Sequence, residues 1–195
     1  MSPKTDELPV LELADRAQWE QWLQANHASS AGAWLKLAKK GSPRPTVTQS
    51  QAVEEAVCFG WIDGQVQRHD EHFYLQRFTP RRPRSKWSEI NRERAQRLIE
   101  QGRMKPAGLR EYEAAKADGR LDDAYPSQRT AAVPPDLQAA LESHPRAREF
   151  FETLTGSDRY AFLHRLHHVK DPQRRAERVA RYIELLSERK TLTGN

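Results

Sequence analysis

The sequence predicts an α+β fold, in which a small, mainly antiparallel sheet with packed helices is followed by a C-terminal helical bundle. Between residues 8 and 80, short strand-like runs alternate with helical periodicity in the order β-α-β-α-β-β. The last third of the chain shows helical periodicity only, in four short segments. With 195 residues, the chain can bury a core without metals or disulfides.

Capping residues and turns predict the first elements. Residues 8–13 read as a short strand, and Asp15 caps a helix that ends near His27. Trp19 and Trp22 recur at helical spacing in that helix. They are therefore predicted to anchor the core.

The second half of the sheet is predicted as a hairpin. A strand over residues 34–38 is followed by a helix that Thr48 caps and Gly60 ends. Residues 61–68 and 73–78 then form two antiparallel strands joined by a short polar turn.

Two helices follow a basic loop. Ser85 or Ser88 caps the first, which stops at Gly102, and Pro106 opens the second, which ends at Gly119. The apolar side of the first helix is predicted to carry Trp87, Ile90, Leu98 and Ile99.

A stretch rich in proline, 126–134, is the predicted linker between an α+β domain, 1–125, and a helical region, 135–195. The four helices of that region are predicted over 135–142, over 145–154, from a Ser157 cap and from Asp171-Pro172.

The positive charge is concentrated in one segment. The chain carries +5 overall, but residues 77–105 hold ten Lys and Arg against three Glu, which is +7 and leaves −2 for the rest. Such a field attracts phosphates, acidic surfaces or nucleic acid. The opening residues show no export signal, no apolar run is long enough to span a membrane, and there is one cysteine. We therefore expect a cytoplasmic protein.

A ligand site is predicted in the proline-stiffened basic loop and the helix start behind it. Arginine binds phosphate bidentately, a tryptophan can stack on a base, and a helix N-terminus favours an anion. The alternative is that some of these arginines pair with internal acids and that the tryptophan belongs to the core. The predicted ligand-binding residues are Arg77, Arg81, Arg82, Arg84, Lys86, Trp87, Ser88 and Asn91.

A second hypothesis places a small polar substrate in a pocket around Asp63, Tyr74 and Arg77, with Asn91 nearby. A structural ion pair between Asp63 and Arg77 is the alternative, and Asp63-Gly64 could also form a bulge. No residue is assigned a catalytic role, so whether the chain is an enzyme stays open.

Cysteine and histidine are not expected to carry chemistry. Cys58 lies at the C-terminal end of a helix, where the helix dipole disfavours a thiolate. His164, His167 and His168 have spacings compatible with zinc, but no glutamate follows as in H-E-x-x-H, so structural or surface histidines are favoured. A DNA-reading helix-turn-helix in the tail is disfavoured, because its turn lacks a glycine. No cofactor or metal is predicted.

Several motifs carry a family resemblance. The stretches CFGWIDG, RFTPRRPRSKWSEIN, LIEQGRMKPAG and AKADGR, followed by RRAERVARYIELL, resemble the YdeI/OmpD-associated, or bacteriocin-protection, family. The family's tail usually carries an Ala-Lys and a Thr-Arg pair where this chain has His168-Val169-Lys170 and Gln173-Arg174. The resemblance implies a role in tolerance of antimicrobial peptides and envelope stress.

Taken together, the sequence predicts a stress-tolerance binding protein that recognises a phosphorylated small molecule or nucleic acid through its basic loop. An enzyme acting on a small polar substrate is the alternative. The oligomeric state is not predicted.

Overall fold

The computed structural model describes residues 8–192 of the chain. Residues 1–7, which contribute to the expectation that no export signal is present, lie outside that range. The chain divides into two compact units, the first reaching to Ala124 and the second beginning at Tyr125. No helix within residues 8–192 has both the length and the apolar composition needed to cross a membrane.

The first unit alternates strands and helices before ending in two helices. Its elements are β1 (Val10–Leu11), α1 (Arg16–Asn26), β2 (Ala33–Ala38), α2 (Gln49–Cys58), β3 (Trp61–Arg68), β4 (Phe73–Pro80), α3 (Glu89–Glu100) and α4 (Pro106–Ala117). In the described part of the second unit, the elements after residue 134 are helices: α5 (Pro135–Glu142), α6 (Pro145–Thr153), α7 (Gly156–His167) and α8 (Pro172–Ser187). The predicted α+β fold with C-terminal helices is confirmed.

The sheet has the strand order β1-β2-β4-β3. β1 runs parallel to β2, and the other pairs are antiparallel, so the sheet is mainly antiparallel as predicted. The register between β3 and β4 shifts between Asp63 and Val66, which places a bulge next to Gly64. The bulge interpretation of Asp63-Gly64 is thus confirmed.

Side-chain caps mark the starts of α1, α2, α3 and α8. Asp15 accepts a hydrogen bond from the Gln18 backbone at 2.9 Å, and Thr48 with Gln51 forms a complete capping box. Ser88, one of the two predicted candidates, caps α3 by accepting from the Asn91 backbone at 3.2 Å. Asp171 caps α8.

Three local predictions are wrong. The first strand is two residues long instead of six, because only Val10 and Leu11 pair with β2. Ser157 lies inside α7, whose N-cap is Thr155. Ile90 is 49% exposed, because the helix buries Ala95 and Leu98 instead.

Each unit has its own hydrophobic core. In the first, Trp19 is fully buried and donates from its indole nitrogen to the Ala52 carbonyl at 3.0 Å, which ties α1 to α2. α4 approaches α2 so closely that a Cβ on Gly108 would lie 2.2 Å from the Cys58 carbonyl oxygen. The core of the second unit is built on Leu137, Leu141, Phe151, Phe162, Leu166, Tyr182, Ile183 and Leu186.

The domain boundaries 1–125 and 135–195 and the linker 126–134 stay a prediction. Within the predicted linker, the Ser127 and Thr130 side chains bond each other at 2.9 Å, and Val133 packs against the core of the second unit.

Candidate functional site

The basic loop, defined as residues 81–86, connects β4 to the N-cap of α3. Its start is anchored where the Arg81 backbone donates to the Gly60 carbonyl at 2.9 Å. At its tip, the Arg82 backbone donates to Ser85 Oγ at 2.8 Å, and Ser85 donates back to the Arg82 carbonyl at 2.8 Å. Arg120 also donates to the Ser85 carbonyl at 3.1 Å. The loop is therefore fixed at both its start and its tip.

Arg81 and Trp87 support this loop from inside the protein. Arg81 is 6% exposed, its guanidinium lies 3.6 Å from the centroid of the Trp87 ring, and its Nη1 donates to the Lys86 carbonyl at 3.2 Å. Trp87 is 2% exposed and packs edge-to-face against Tyr112. For Trp87 this is the core alternative considered above, and a buried indole offers no face to a nucleobase.

The other basic side chains of the loop lie at the protein surface. Arg82, Arg84 and Lys86 are exposed, and the tip from Arg82 to Ser85 lines a recess of about 630 Å³. Two guanidinium groups on a fixed turn can bind a phosphate or carboxylate with little ordering cost. Ser88 is occupied as the cap of α3.

Asp63, Tyr74 and Arg77 do not converge. Asp63 pairs across the hairpin with Phe78, whose side chain is in the core, so Asp63 lies on the helix-covered face of the sheet. Tyr74 lies on that same face, because it alternates in phase with Phe78 along β4. Arg77 is adjacent to Phe78 and pairs with Trp34, and it therefore lies on the opposite face.

Asp63 instead bonds Gln76, and its charge acts on Arg94, which in turn bonds Asn91. We call Asp63, Gln76, Asn91 and Arg94 the polar cluster. Asp63 Oδ2 accepts from Gln76 Nε2 at 3.2 Å, and Arg94 Nη1 donates to Asn91 Oδ1. Burial lowers the pKa of Arg94, and the negative charge of Asp63 opposes that shift, as does Glu54. Arg94 thus supplies the guanidinium near Asp63 that the sequence hypothesis assigned to Arg77.

The polar cluster is partly buried and incompletely bonded, with Asp63 and Arg94 half-buried. Gln76 is 3% exposed and Asn91 is 8% exposed. Within residues 8–192, Gln76 Oε1 and Arg94 Nε have no hydrogen-bond partner. Tyr74, on the same face, is half-buried, and burial raises the pKa of its phenol.

Sequence reasoning missed Gln76 and Arg94. The sequence signal for Gln76 was its position two residues before Phe78. This spacing places both side chains on the face of β4 that packs against the core. Arg94 follows Asn91 by three residues on α3, so helical spacing alone brings these two side chains together.

The acidic residues of α2 neutralise part of the basic segment. Arg103 and Arg16 both contact Glu55, which is 2% exposed, and Arg97 bonds Glu54 at 3.0 Å. Burial raises the pKa of Glu55. Burial acts in the same direction on Glu54, but the hydrogen bond from Arg103 and the charge of Arg16 outweigh it, so the pKa of Glu54 is lowered.

Cys58 is inert in this setting. It is 1% exposed, and burial together with the charge of Glu55 raises the pKa of its thiol to about 12. A thiol that stays protonated is a poor nucleophile, in agreement with its position at the end of α2.

The histidines of α7 lie close together. His164 and His168 place their Nε2 atoms 3.3 Å apart, and the rings of His167 and His168 are 5.2 Å apart between centroids. A small recess of about 260 Å³ in the second unit includes His164 and His167 in its lining.

The two units of the chain match different family models. A family model described as a domain of unknown function (DUF8412) matches residues 11–111, which is just over half of the chain. A second model, described as bacteriocin-protection, YdeI or OmpD-associated, matches residues 130–189. The resemblance to that second family is confirmed for the tail. The motifs CFGWIDG, RFTPRRPRSKWSEIN and LIEQGRMKPAG fall within the first match, and AKADGR lies between the two matches. No curated protein and no solved structure matches the chain.

Proposed function

We propose a function on the premise that the chain belongs to the DUF8412 family and, in its C-terminal region, to the YdeI/OmpD-associated family. The protein binds an anionic ligand through the basic loop. The ligand carries phosphate groups, either as a phosphorylated small molecule or as nucleic acid. The protein acts in the cytoplasm and contributes to stress tolerance.

One observation supports this proposal more than any other. Arg82 and Arg84 are exposed on a turn whose backbone is held by Ser85 and Arg120. Because the turn is already ordered, an anion that binds the two guanidinium groups does not have to order the loop. Arginine rather than lysine at both positions favours bidentate recognition of a phosphate.

The burial of Trp87 limits the kinds of interaction that can bind such a ligand. Arg81 and Tyr112 cover the ring of Trp87, so the indole cannot stack on a ligand. The affinity for the ligand therefore comes from charge and hydrogen bonding. Binding by charge weakens as salt is added, and it weakens most for a polyanion that displaces several counterions.

The test uses three probes: ATP, a labelled single-stranded oligonucleotide and a labelled DNA duplex. Affinity is measured by fluorescence anisotropy, with ATP as a competitor, at several salt concentrations. The Arg82→Ala/Arg84→Ala variant is expected to lose about tenfold or more in affinity, and a loss of two phosphate contacts lowers the salt slope by about two. A strong salt slope identifies nucleic acid, and tight ATP binding with a shallow slope identifies the small molecule.

The matched control is Arg174→Ala/Arg178→Ala, which removes the same charge from exposed positions on α8. It is expected to bind as the unmodified protein does. Equal losses in the two variants, or no binding of any probe by the unmodified protein, would reject the basic loop as the site.

The physiological part of the proposal is supported by the bacteriocin-protection description of the matching family. The lone, buried Cys58 is compatible with a reducing compartment. Cells that lack the protein should survive a bacteriocin challenge less well, and the unmodified gene but not the Arg82→Ala/Arg84→Ala gene should restore survival. Recovery of the protein in the membrane or periplasmic fraction would contradict the cytoplasmic location.

A second candidate function, catalysis on a small polar substrate, is favoured by the polar cluster. Its unbonded Gln76 Oε1 and Arg94 Nε could serve one ligand that carries both a donor and an acceptor. A thermal-shift screen of amino acids and other small polar metabolites tests this candidate. A hit should be lost in Asp63→Asn and Gln76→Leu but kept in Arg82→Ala/Arg84→Ala. A screen without any hit that depends on Asp63 or Gln76 would remove this candidate.

A further inference from the structure

We propose that His164 and His168 form a binding site for a divalent transition-metal ion, with Zn²⁺ as the ion that their geometry fits. The site belongs to the second unit and is separate from the basic loop. It does not depend on the anion-binding function.

The distance between the two ring nitrogens carries the proposal. His164 Nε2 and His168 Nε2 are 3.3 Å apart and share a hydrogen bond, and their ring planes are almost perpendicular, at 89°. Two imidazole nitrogens bound to zinc at about 2.0–2.1 Å with a tetrahedral angle between them stand about 3.3–3.4 Å apart. An ion that displaces the hydrogen shared by the two nitrogens therefore finds them at the spacing of two of its ligands.

The helix backbone makes the two histidines neighbours. His164 lies in the last turn of α7 and His168 is its C-cap, so the two are neighbours at i and i+4. The last carbonyl groups of a helix carry partial negative charge, which stabilises a bound cation at this end. Imidazole is a ligand that suits zinc, copper and nickel.

Aromatic side chains restrict how the two rings can turn. The Tyr125 ring packs edge-to-face against His164 at 4.7 Å and against His168 at 5.5 Å between centroids. Tyr160 lies 5.3 Å from His164, and its hydroxyl donates to the Pro126 carbonyl at 2.8 Å. Rings held in this way lose less freedom when an ion binds, which favours affinity.

The spacing by itself favoured structural histidines, because no H-E-x-x-H pattern is present. Two histidines fill half of a tetrahedral zinc sphere, and water or a further ligand completes it. The site is thus an open one that binds its ion reversibly.

The experiment titrates the metal-free full-length chain with Zn²⁺ and, separately, Ni²⁺ by calorimetry. His164→Gln and His168→Gln are each expected to weaken the binding at least tenfold. Zn²⁺ should also raise the melting temperature of the unmodified protein, and this rise should disappear in both variants. The control is His144→Gln, which removes an exposed histidine of the same unit and should change neither result.

A measurement on the unmodified protein guards against variants that fail to fold. Substoichiometric Cu²⁺ should broaden the ring proton signals of His164 and His168 in NMR spectra before those of other histidines. If the broadening is strongest at His69 and His72 in the hairpin turn, or if both variants bind Zn²⁺ as the unmodified protein does, the proposal is wrong.

Discussion

The first unit contains two arginine-rich regions, and they differ in where the positive charge is balanced. Beside α2, Arg16, Arg97 and Arg103 bind the carboxylates of Glu54 and Glu55. In the basic loop, Arg82 and Arg84 form no ion pair with any carboxylate of residues 8–192. Of these two regions, the loop is the one that keeps guanidinium charge available for a ligand.

The difference shows how a count of charges misleads. Residues 77–105 carry +7, but Arg97 and Arg103 are matched by α2, and Lys105 bonds Glu20 of α1 at 2.8 Å. The acids that neutralise the segment lie outside it in sequence. The positive field is thereby concentrated in the exposed part of the loop.

The largest effect is expected at Trp87, whose ring supports the loop from the core. Trp87→Ala should lower the free energy of unfolding by about 3–5 kcal/mol, because it leaves a cavity and removes the ring that Arg81 covers. Denaturant unfolding measures this change, and Arg82→Ala, at an exposed position, should stay within about 0.5 kcal/mol. A loss below about 1 kcal/mol would place the indole outside the core and reopen it as a stacking surface.

A somewhat smaller effect is expected beside α2. Arg103→Ala should cost about 3 kcal/mol at neutral pH, because Glu55 is buried and keeps only Arg16 in direct contact. Adding Glu55→Gln should restore part of the loss, since the buried carboxylate is then gone. If Arg103→Ala lowers the free energy of unfolding as little as Arg84→Ala does, the two regions do not differ in how their positive charge is balanced.

The dependence of stability on pH should differ in sign for the two neighbouring acids. The raised pKa of Glu55 means that the folded state binds its proton more tightly than the unfolded state, so its contribution falls as pH rises above the ordinary glutamate range. The lowered pKa of Glu54 has the opposite result, and its contribution is lost as pH falls below that range.

Unfolding curves measured from acid to neutral pH separate the two contributions. Relative to the unmodified protein, Glu55→Gln should lose less stability on going from pH 5 to pH 8, and Glu54→Gln should lose less on going from pH 5 to pH 3. Identical pH profiles for the two variants would show that the surrounding arginines do not distinguish these carboxylates.

The smallest effect is expected at the start of α3, behind the basic loop. Ser88→Ala removes the hydroxyl that caps the helix and should cost about 1 kcal/mol. Ser85→Ala should loosen the loop tip, because it removes the Oγ acceptor of the Arg82 backbone, and it should weaken anion binding more than stability. Calorimetry and anisotropy on the same two variants compare these effects, and a Ser88→Ala variant as stable as the unmodified protein would exclude the cap.

Prediction from the sequence succeeded where the determining contacts are local. Each predicted cap acts on a backbone group within three residues, as at Asp15, at Asp171 and at Thr48 with Gln51. The bounds of β3 follow from the run of strand-forming residues between Gly60 and a polar turn. Ser157 failed as a cap because Thr155 already has the extended backbone that precedes α7.

The candidate site was predicted only in part. Asp63 and Asn91 belong to the polar cluster, whereas Arg77 was assigned to it and Arg94 was missed. The face on which a strand residue lies depends on the register and on the bulge after Asp63, and neither can be read from a single strand.

The sequence by itself determined the order of the elements, most of the helix ends, the α+β class and the basic loop, because periodicity, caps and turn residues act over a few positions. Tertiary structure alone decided which arginines are buried against α2 or Trp87 and which face solvent. It also set the 3.3 Å between His164 and His168, since helical spacing makes two side chains neighbours but packing against Tyr125 orients their rings. Which residue pairs with a charged side chain depends on tertiary contacts between positions tens of residues apart. Composition carries no information about those contacts.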